Sequence, residues 1–282
     1  MKNPSVFRQL AAVAAYELRT LLHSRWLAAF AVLFALLNMF MLIWEARLMP
    51  AGGDASGFTR QAASQMNLML QLAPLMSLTI ASLSLASERN DGMTGLLRTY
   101  PLPPACYILG KFFGLFGAFL LTLLVGFGIA QLLGLFLLPG ATISHTLPLL
   151  AMGIALCGIC SAIGLWIGGR VQSRLGAVAA SLLIWFVSVY VYSMVLLAVL
   201  PFAPTSAQQS VLAGALVLNP VEAVRIASVF WRGDGYIYGP AFYYWEQWFN
   251  SAAGIATATT IILLYIATPL HFATARIRRG RG

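Results

Sequence analysis

The sequence predicts an all-α, polytopic membrane protein with six transmembrane helices. Of its 282 residues, 60% are hydrophobic and only 9% are charged, whereas about a quarter of the residues of a soluble domain are charged. Uncharged stretches of the roughly 20 residues that a helix needs to cross a bilayer recur along the chain. The 17 lysines and arginines flank these stretches unevenly, which is how membrane topology is encoded. We therefore predict one membrane domain over residues 1–282.

The first predicted element is an amphipathic helix over residues 5–24. Apolar side chains recur at helical spacing on one of its faces. They are Phe7, Leu10, Ala14, Leu18 and Leu21. The other face carries Arg8, Tyr16, Arg19 and His23. A basic amphipathic helix directly before a span typically lies in the membrane interface, and we expect the same of this one.

Six predicted spans follow. The first, Trp26 to Trp44, is uncharged and has a tryptophan at each end, as the aromatic belts of membrane proteins predict. The other five are predicted over residues 66–86, 112–137, 147–168, 176–200 and 249–271. From Phe112 to Gly169 the chain contains no charged residue, and Pro139-Gly140 provides the turn that divides this stretch into two spans.

The basic residues predict the orientation. With six spans, 13 of the 17 lysines and arginines lie on the side of the two termini and 4 on the opposite side. Positive charge accumulates on the cytoplasmic side of membrane proteins, so both termini are predicted to be cytoplasmic. The same distribution argues against nucleic-acid binding, because the charges flank apolar stretches and do not form one patch.

The main polar segment on the cytoplasmic side, residues 87–104, joins the second and third spans. Its apolar residues recur at the spacing of one helical stripe. They are Met93, Leu96, Leu97 and Tyr100. Asp91 can cap this two-turn helix and Pro101 ends it. Such a short helix is unstable alone. A groove on a partner protein is the favoured surface for it, and lipid headgroups are the alternative.

The long segment between the fifth and sixth spans is predicted to hold two short helices that dip into the outer leaflet. They meet at Asn219-Pro220, where Asn219 is a candidate N-cap, Pro220 occupies the first helical position and Glu222 completes a pattern like a capping box. Irregular backbone at membrane depth needs cover from protein or from a water-filled cavity. Aromatic residues then follow, as in an outer interfacial belt.

Four short motifs resemble those of ABC-2 type transporter permeases. They are Glu17-Leu18-Arg19 with Ser24-Arg25-Trp26-Leu27, Leu97-Arg98-Thr99-Tyr100-Pro101-Leu102, Leu109-Gly110-Lys111-Phe112, and Leu218-Asn219-Pro220-Val221-Glu222. They are most similar to the branch of permeases that serve maturation of nitrous-oxide reductase. The resemblance covers most of the chain in topology. This chain lacks the large outer domain of some ABC-2 members, which argues against export of bulky polymers.

The resemblance implies a multi-pass permease of the bacterial inner membrane that works as a homodimer with two cytoplasmic ABC ATPase subunits. Residues 5–24 would be its interfacial elbow helix and residues 205–232 its re-entrant pair. The coupling residues would be Glu88, Asp91, Gly92, Met93, Leu96, Leu97, Tyr100 and Pro101. The other implied partners are membrane lipid and an extracytoplasmic accessory protein, and the implied role is transport or force transmission in copper-enzyme maturation. A non-transporting six-span scaffold and an exporter of drugs or lipids are the alternatives.

The chain itself is predicted not to be an enzyme. A phosphate-binding loop requires Gly-x-x-x-x-Gly-Lys-Ser/Thr, but Gly110-Lys111 is followed by Phe112 and preceded at the required spacing by Ala105. ATP and Mg²⁺ are therefore expected on the partner ATPase, and no cofactor is expected on this chain. The three histidines lie in separate segments, and no span contains a pair of carboxylates for acid–base or metal chemistry.

Two sulfur-containing patterns leave alternatives open. Cys157-x-x-Cys160, inside the predicted fourth span, has the spacing for a soft-metal or sulfur site. The small residues around it favour close helix packing instead. Methionines of the first two spans are compatible with a copper path, although gap filling is favoured.

Overall fold

The computed structural model describes residues 6–48, 55–92, 102–137, 143–202, 218–231 and 243–279, with a few isolated positions between 204 and 214. Over these ranges the chain is helical, apart from short turns, and contains no strand. The helices are α1 (Val6–Leu22), α2 (Arg25–Leu48), α3 (Ala55–Asn90), α4 (Pro104–Leu137), α5 (Ile143–Gly168), α6 (Arg174–Phe186), α7 (Tyr192–Val199), α8 (Pro220–Trp231), α9 (Tyr243–Phe249) and α10 (Ala252–Arg279).

Six segments of this structure are long and apolar enough to cross a membrane. They are Arg25–Trp44, Ala63–Asn90, Pro104–Leu133, Leu147–Gly168, Arg174–Phe202 and Ala252–Arg278. The fifth is composite, because a π-helical turn over Val187–Val191 joins α6 to α7 and a 3-10 turn over Leu200–Phe202 follows α7. The predicted all-α class and the six candidate spans are confirmed.

Several helices, among them those of the third and sixth spans, extend beyond the predicted ends of their spans. The third was expected to begin near Phe112, after the charge of Lys111, but α4 begins at Pro104, so Lys111 lies two turns inside the helix. Proline is favoured at the first position of a helix, because its missing N–H has no intrahelical acceptor there. The sixth span was expected to end at residue 271, whereas α10 continues to Arg279.

The centre of the bundle is formed by α3, α4 and α5. In the α5 span 67% of the residues are buried, whereas in the α6–α7 span only 6% are buried. The apolar surface of α6–α7 therefore faces outward from the chain, and much of α2 and α10 does so as well. In a membrane this surface is available to lipid or to a second copy.

Glycines allow the central helices to approach closely. A Cβ atom on Gly164 of α5 would lie 2.8 Å from the carbonyl oxygen of Leu78, and one on Gly168 would lie 2.4 Å from that of Ser82. A Cβ on Gly114 of α4 would lie 2.6 Å from the Cβ of Glu17 on α1. Gly114, Gly164 and Gly168 thus allow close contacts between helices of the same chain.

Several helix ends meet at one end of the bundle, which we call the basic end. There α1 packs on the first half of α4. The last turn of α3 contacts the C-terminal end of α5, with Arg89 Nη1 donating to the Gly169 carbonyl at 2.6 Å. It also contacts the start of α6, where Arg174 donates to Asp91 at 2.5 Å. The C-terminal end of α10 lies beside α5 at this same end.

At the opposite end, α8 and α9 lie against the bundle. Phe230 of α8 and Phe249 of α9 stack with their ring centroids 5.4 Å apart. A sharp corner then leads into α10: a Cβ on Gly254 would lie 1.9 Å from the Trp248 carbonyl oxygen. Glycine is therefore required at this corner.

Candidate functional site: a buried ionic cluster at the basic end

A lysine inside the bundle joins three helices at the basic end. The side chain of Lys111 on α4 is only 1% exposed. Its Nζ lies 2.8 Å from Glu17 Oε2 on α1 and 2.8 Å from Glu88 Oε1 on α3. One ammonium group therefore links the N-terminal helix with the helices that flank the predicted coupling segment. We call Glu17, Glu88, Lys111 and their bonded neighbours Ser84 and Tyr107 the ionic cluster.

Close packing of α1 on α4 positions the first carboxylate. Gly110 and Gly114 lie on the α4 face that meets α1, and a Cβ on Gly110 would lie 2.7 Å from that of Val13. Without side chains at these two positions, the α1 backbone comes near enough for Glu17 to reach Lys111. Glu17 is consequently 4% exposed, although it lies on a helix near the chain's N-terminus.

Each carboxylate has a second donor. Ser84 of α3 donates to Glu17 Oε1 at 2.5 Å, and the Tyr107 hydroxyl of α4 donates to Glu88 Oε2. Tyr107 lies one helical turn before Lys111, so both side chains project from the same face of α4. The two carboxylates therefore each accept from one charged and one neutral donor. A buried charge is tolerated when it is paired and hydrogen-bonded in this way.

Removal of any charged member of the ionic cluster is energetically costly. The cluster holds two carboxylates and one ammonium group, so its formal charge is −1 with all groups ionised. Removal of one partner from a buried ion pair costs about 3–5 kcal/mol, because the remaining charge is left without compensation. Without Lys111, two carboxylates would face each other inside the bundle. The cluster therefore fixes the mutual positions of α1, α3 and α4.

The end of α3 is held to three further helices by three polar side chains, Glu88, Arg89 and Asp91. Glu88 binds Lys111 of α4. Arg89 donates to the carbonyl oxygens of Gly168, Gly169 and Val171, at and just beyond the end of α5. Asp91 pairs with Arg174 at the start of α6. The C-terminal end of α3 is therefore tied to α4, α5 and α6 just before the chain leaves the bundle.

The chain then turns at Gly92. This residue has φ +73°, and it is the one positive φ among the described residues. That conformation is easily adopted by glycine and costs other residues energy. Of the predicted coupling residues, Glu88, Asp91 and Gly92 thus lie at the entry to the segment. Met93, Leu96, Leu97, Tyr100 and Pro101 fall outside the described residues, and their role stays a prediction.

The sequence analysis did not identify Glu17 and Tyr107 as members of the ionic cluster. One signal was present: Glu17 lies between Ala14, Leu18 and Leu21, on the side of α1 that is rich in apolar residues. An acidic residue in that position needs a buried basic partner. Because Lys111 follows a polar segment and precedes a long uncharged stretch, its position in the sequence indicates a membrane boundary and not a buried partner for Glu17.

Asn219 and Glu222, at the predicted break between the outer helices, differ in how well they match their predicted roles. The Val221 N–H donates to Asn219 Oδ1 at 3.0 Å, so the Asn219 side chain caps the start of α8. The capping-box role of Glu222 is wrong. Its carboxylate is 1% exposed and accepts from Ser193 Oγ of α7 at 3.0 Å and from Arg225. The carboxylate thus binds side chains of α7 and α8 instead of the Asn219 N–H.

A second contact of Asn219 fixes α8 to the fifth span. Its Nδ2 donates to the Ser188 carbonyl oxygen at 2.7 Å. Ser188 lies in the π-helical turn between α6 and α7. A π turn releases backbone carbonyls from the regular helical pattern, and Asn219 binds one of the carbonyls in this turn. The start of α8, including Pro220, is thereby held against the span.

Cys157 and Cys160 are fully buried but lie in different apolar environments. Cys157 belongs to the main core, whereas Cys160 packs with Leu78 and Ile167. Within the described part of the chain, no group of three or more His, Cys, Asp or Glu side chains is placed to hold a metal ion. This packing favours the structural interpretation, and a soft-metal or sulfur site stays a prediction.

The fold and the cluster together define a class: a six-span helical membrane protein whose inner charges join helices at one end. The chain belongs to the ABC-2 family of transporter proteins, whose family model matches residues 11–279. It is similar to a probable ABC transporter permease protein NosY of Stutzerimonas stutzeri, with 31% identity over 224 residues that cover 77% of this chain and 80% of the relative. The corresponding protein of Pseudomonas aeruginosa is 32% identical over the same coverage.

Family membership makes this chain a multi-pass membrane permease subunit of an ABC transporter. Such a subunit associates with a cytoplasmic ATPase subunit. The segment between α3 and α4 can therefore be considered as a candidate contact for that ATPase subunit.

Proposed function

We propose that this chain couples ATP hydrolysis by a separate cytoplasmic subunit to movement across, or force transmission through, the membrane, and that the ionic cluster carries the coupling. The observation behind this proposal is that Lys111 bridges Glu17 and Glu88 at 2.8 Å each. These residues belong to the three helices around the segment that would contact the ATPase.

The geometry supports joint movement of these helices. The segment over residues 93–101 leaves α3 directly after Gly92 and enters α4 near Pro104. A displacement of the segment would act on the last turn of α3 and the first turns of α4. Because Lys111 and Glu88 join those turns and Glu17 adds α1, we infer that α1, α3 and α4 move as one body.

The finer topology belongs to the same proposal. The basic end would face the cytoplasm, since 13 of the 17 lysines and arginines lie on that side of the six spans. The helix α1 would be the interfacial elbow, and α8 would be the second of the re-entrant pair. Two copies would form the transporter, using outward-facing apolar surface of spans such as α6–α7.

The biological role is proposed from similarity alone. The sequence motifs resemble the branch that serves nitrous-oxide-reductase maturation, and the relatives are named as probable ABC transporter permeases NosY. We therefore propose a role in copper-enzyme maturation, with an extracytoplasmic accessory protein as a further partner.

Purification tests the partner and its function together. The tagged chain, extracted in mild detergent from its native cells, should bring with it a subunit that contains a phosphate-binding loop, and the complex should hydrolyse ATP. If Leu97→Asp were introduced into the predicted docking stripe, the ATPase should be lost from the purified complex. Purification of the wild-type chain without an ATP-binding subunit would contradict the proposal.

A further inference from the structure

We propose that a cavity between the ends of α5 and α10 at the basic end binds the phosphate headgroup of an anionic phospholipid. This cavity is open and has a volume of about 450 Å³. It is lined by Arg170, Phe272, Ala275 and Arg276. Two exposed guanidinium groups thus face one space beside the ring of Phe272, which is 55% exposed.

The first guanidinium group is held in place. Arg170 Cζ lies 4.4 Å from the centroid of the Trp166 ring, one turn earlier in the chain. This cation–π contact restricts the side chain while its N–H donors stay available. A planar guanidinium with a fixed orientation matches the oxygens of a phosphate group and can bind two of them at once.

Among the described residues, neither Arg170 nor Arg276 forms an ion pair with a carboxylate. On the side of the termini the sequence has only three acidic residues, Glu17, Glu88 and Asp91. The first two bind Lys111 and the third binds Arg174. Both guanidinium groups are therefore available to an anion that enters the cavity.

The end of α5 also leaves Arg170 available. Helix C-terminal carbonyls carry partial negative charge and attract cations. Here Arg89 donates to the carbonyl oxygens of Gly168, Gly169 and Val171. Because Arg89 already satisfies these acceptors, Arg170 is not needed as their donor.

The position of the cavity favours lipid over a soluble anion. It lies beside the last turns of the candidate span Ala252–Arg278, and the ends of a membrane-spanning helix lie near the lipid headgroups. The exposed Phe272 ring offers an apolar wall that an acyl chain can contact and that free phosphate would not use. Basic cavities between transmembrane helices near the bilayer surface are typical headgroup sites.

Native mass spectrometry of the full-length chain, purified together with its ATPase subunit, tests this site. Phosphatidylglycerol and phosphatidylcholine with identical acyl chains would be added at equal ratios. We expect phosphatidylglycerol to bind preferentially and Arg170→Gln/Arg276→Gln to lower its bound fraction about tenfold or more, since each guanidinium contributes charge-assisted hydrogen bonds. Arg170→Lys/Arg276→Lys should lose less binding than the glutamine variant but more than the control, because the charges remain while the bidentate guanidinium geometry is lost.

The control is Arg8→Gln/Arg278→Gln, which removes the same charge from exposed positions outside this cavity and should change binding less than twofold. Equal binding of the two lipids, or undiminished binding to the Arg170→Gln/Arg276→Gln variant, would overturn the proposal. Displacement of phosphatidylglycerol by millimolar inorganic phosphate would assign the site to a soluble anion and overturn the lipid assignment. So would loss of the ATPase subunit from that variant with lipid binding unchanged, because the surface would then belong to the protein partner.

Discussion

Lys111 Nζ lies 2.8 Å from Glu17 Oε2, and neither side chain is more than 5% exposed. The two residues are far apart in the chain, on α4 and α1, and a third helix joins them through Glu88. This buried pair explains how a lysine can lie two turns inside a membrane helix. It also connects the chain's N-terminal helix to the part of the bundle next to the segment that we propose contacts the ATPase.

Lys111→Met should destabilise the protein strongly. The variant leaves the carboxylates of Glu17 and Glu88 buried and without their cation, at a cost of about 3–5 kcal/mol. Thermal unfolding in detergent, followed by tryptophan fluorescence, should show a clear fall in Tm. The triple variant Glu17→Gln/Glu88→Gln/Lys111→Met should recover much of that loss, and a triple variant less stable than Lys111→Met would contradict the pairing.

Disruption of the Asp91–Arg174 pair should have little effect on stability. The two side chains are 60% and 51% exposed, and exposed ion pairs contribute at most about 1 kcal/mol. Arg174→Gln should therefore shift Tm far less than Lys111→Met, and added salt should remove the remaining difference. A loss as large as that of Lys111→Met would contradict the contrast between buried and exposed pairs.

Gly168→Ala should destabilise the contact between α5 and α3. The added Cβ would lie 2.4 Å from the carbonyl oxygen of Ser82, and backbone must shift to relieve the overlap, at a cost of about 1–3 kcal/mol. Gly128→Ala is the matched control, because a Cβ there has nothing within 4 Å. Equal Tm values for the two variants would show that α3 and α5 do not approach as described.

Asn219→Ala should loosen the start of α8. It removes the cap on the Val221 N–H and the bond to the Ser188 carbonyl, and loss of an N-cap alone costs about 1 kcal/mol. Hydrogen exchange should become faster in the first turn of α8 and in the π turn, with α9 unchanged. Exposed Asn90, at the end of α3, provides the control substitution Asn90→Ala, which should leave exchange at α8 unaltered.

The spans could be predicted from sequence because they depend on local hydropathy. The cap at Asn219 was equally accessible, since an N-cap involves neighbouring residues only. The ionic cluster was not, because it depends on which faces of α1, α3 and α4 meet. Hydropathy counts Lys111 as a boundary, and only packing reveals that two distant carboxylates compensate its charge. Glu222 illustrates the same limit: its helix position suggested a local bond, whereas its partners include Ser193 on another helix.

The most direct test of the account follows the ATP-dependent motion of the complex. Spin labels on Leu218→Cys, an exposed position beside α8, would report the distance between the two copies in proteoliposomes. ATP should change that distance in the background protein and in the control Arg19→Gln, which alters an exposed charge on α1. In Glu88→Gln, which weakens the cluster while keeping its shape, the ATPase should still assemble and hydrolyse ATP, but the distance change should be lost or strongly reduced. An unchanged ATP-dependent distance change in Glu88→Gln would contradict the claim that the ionic cluster transmits the motion.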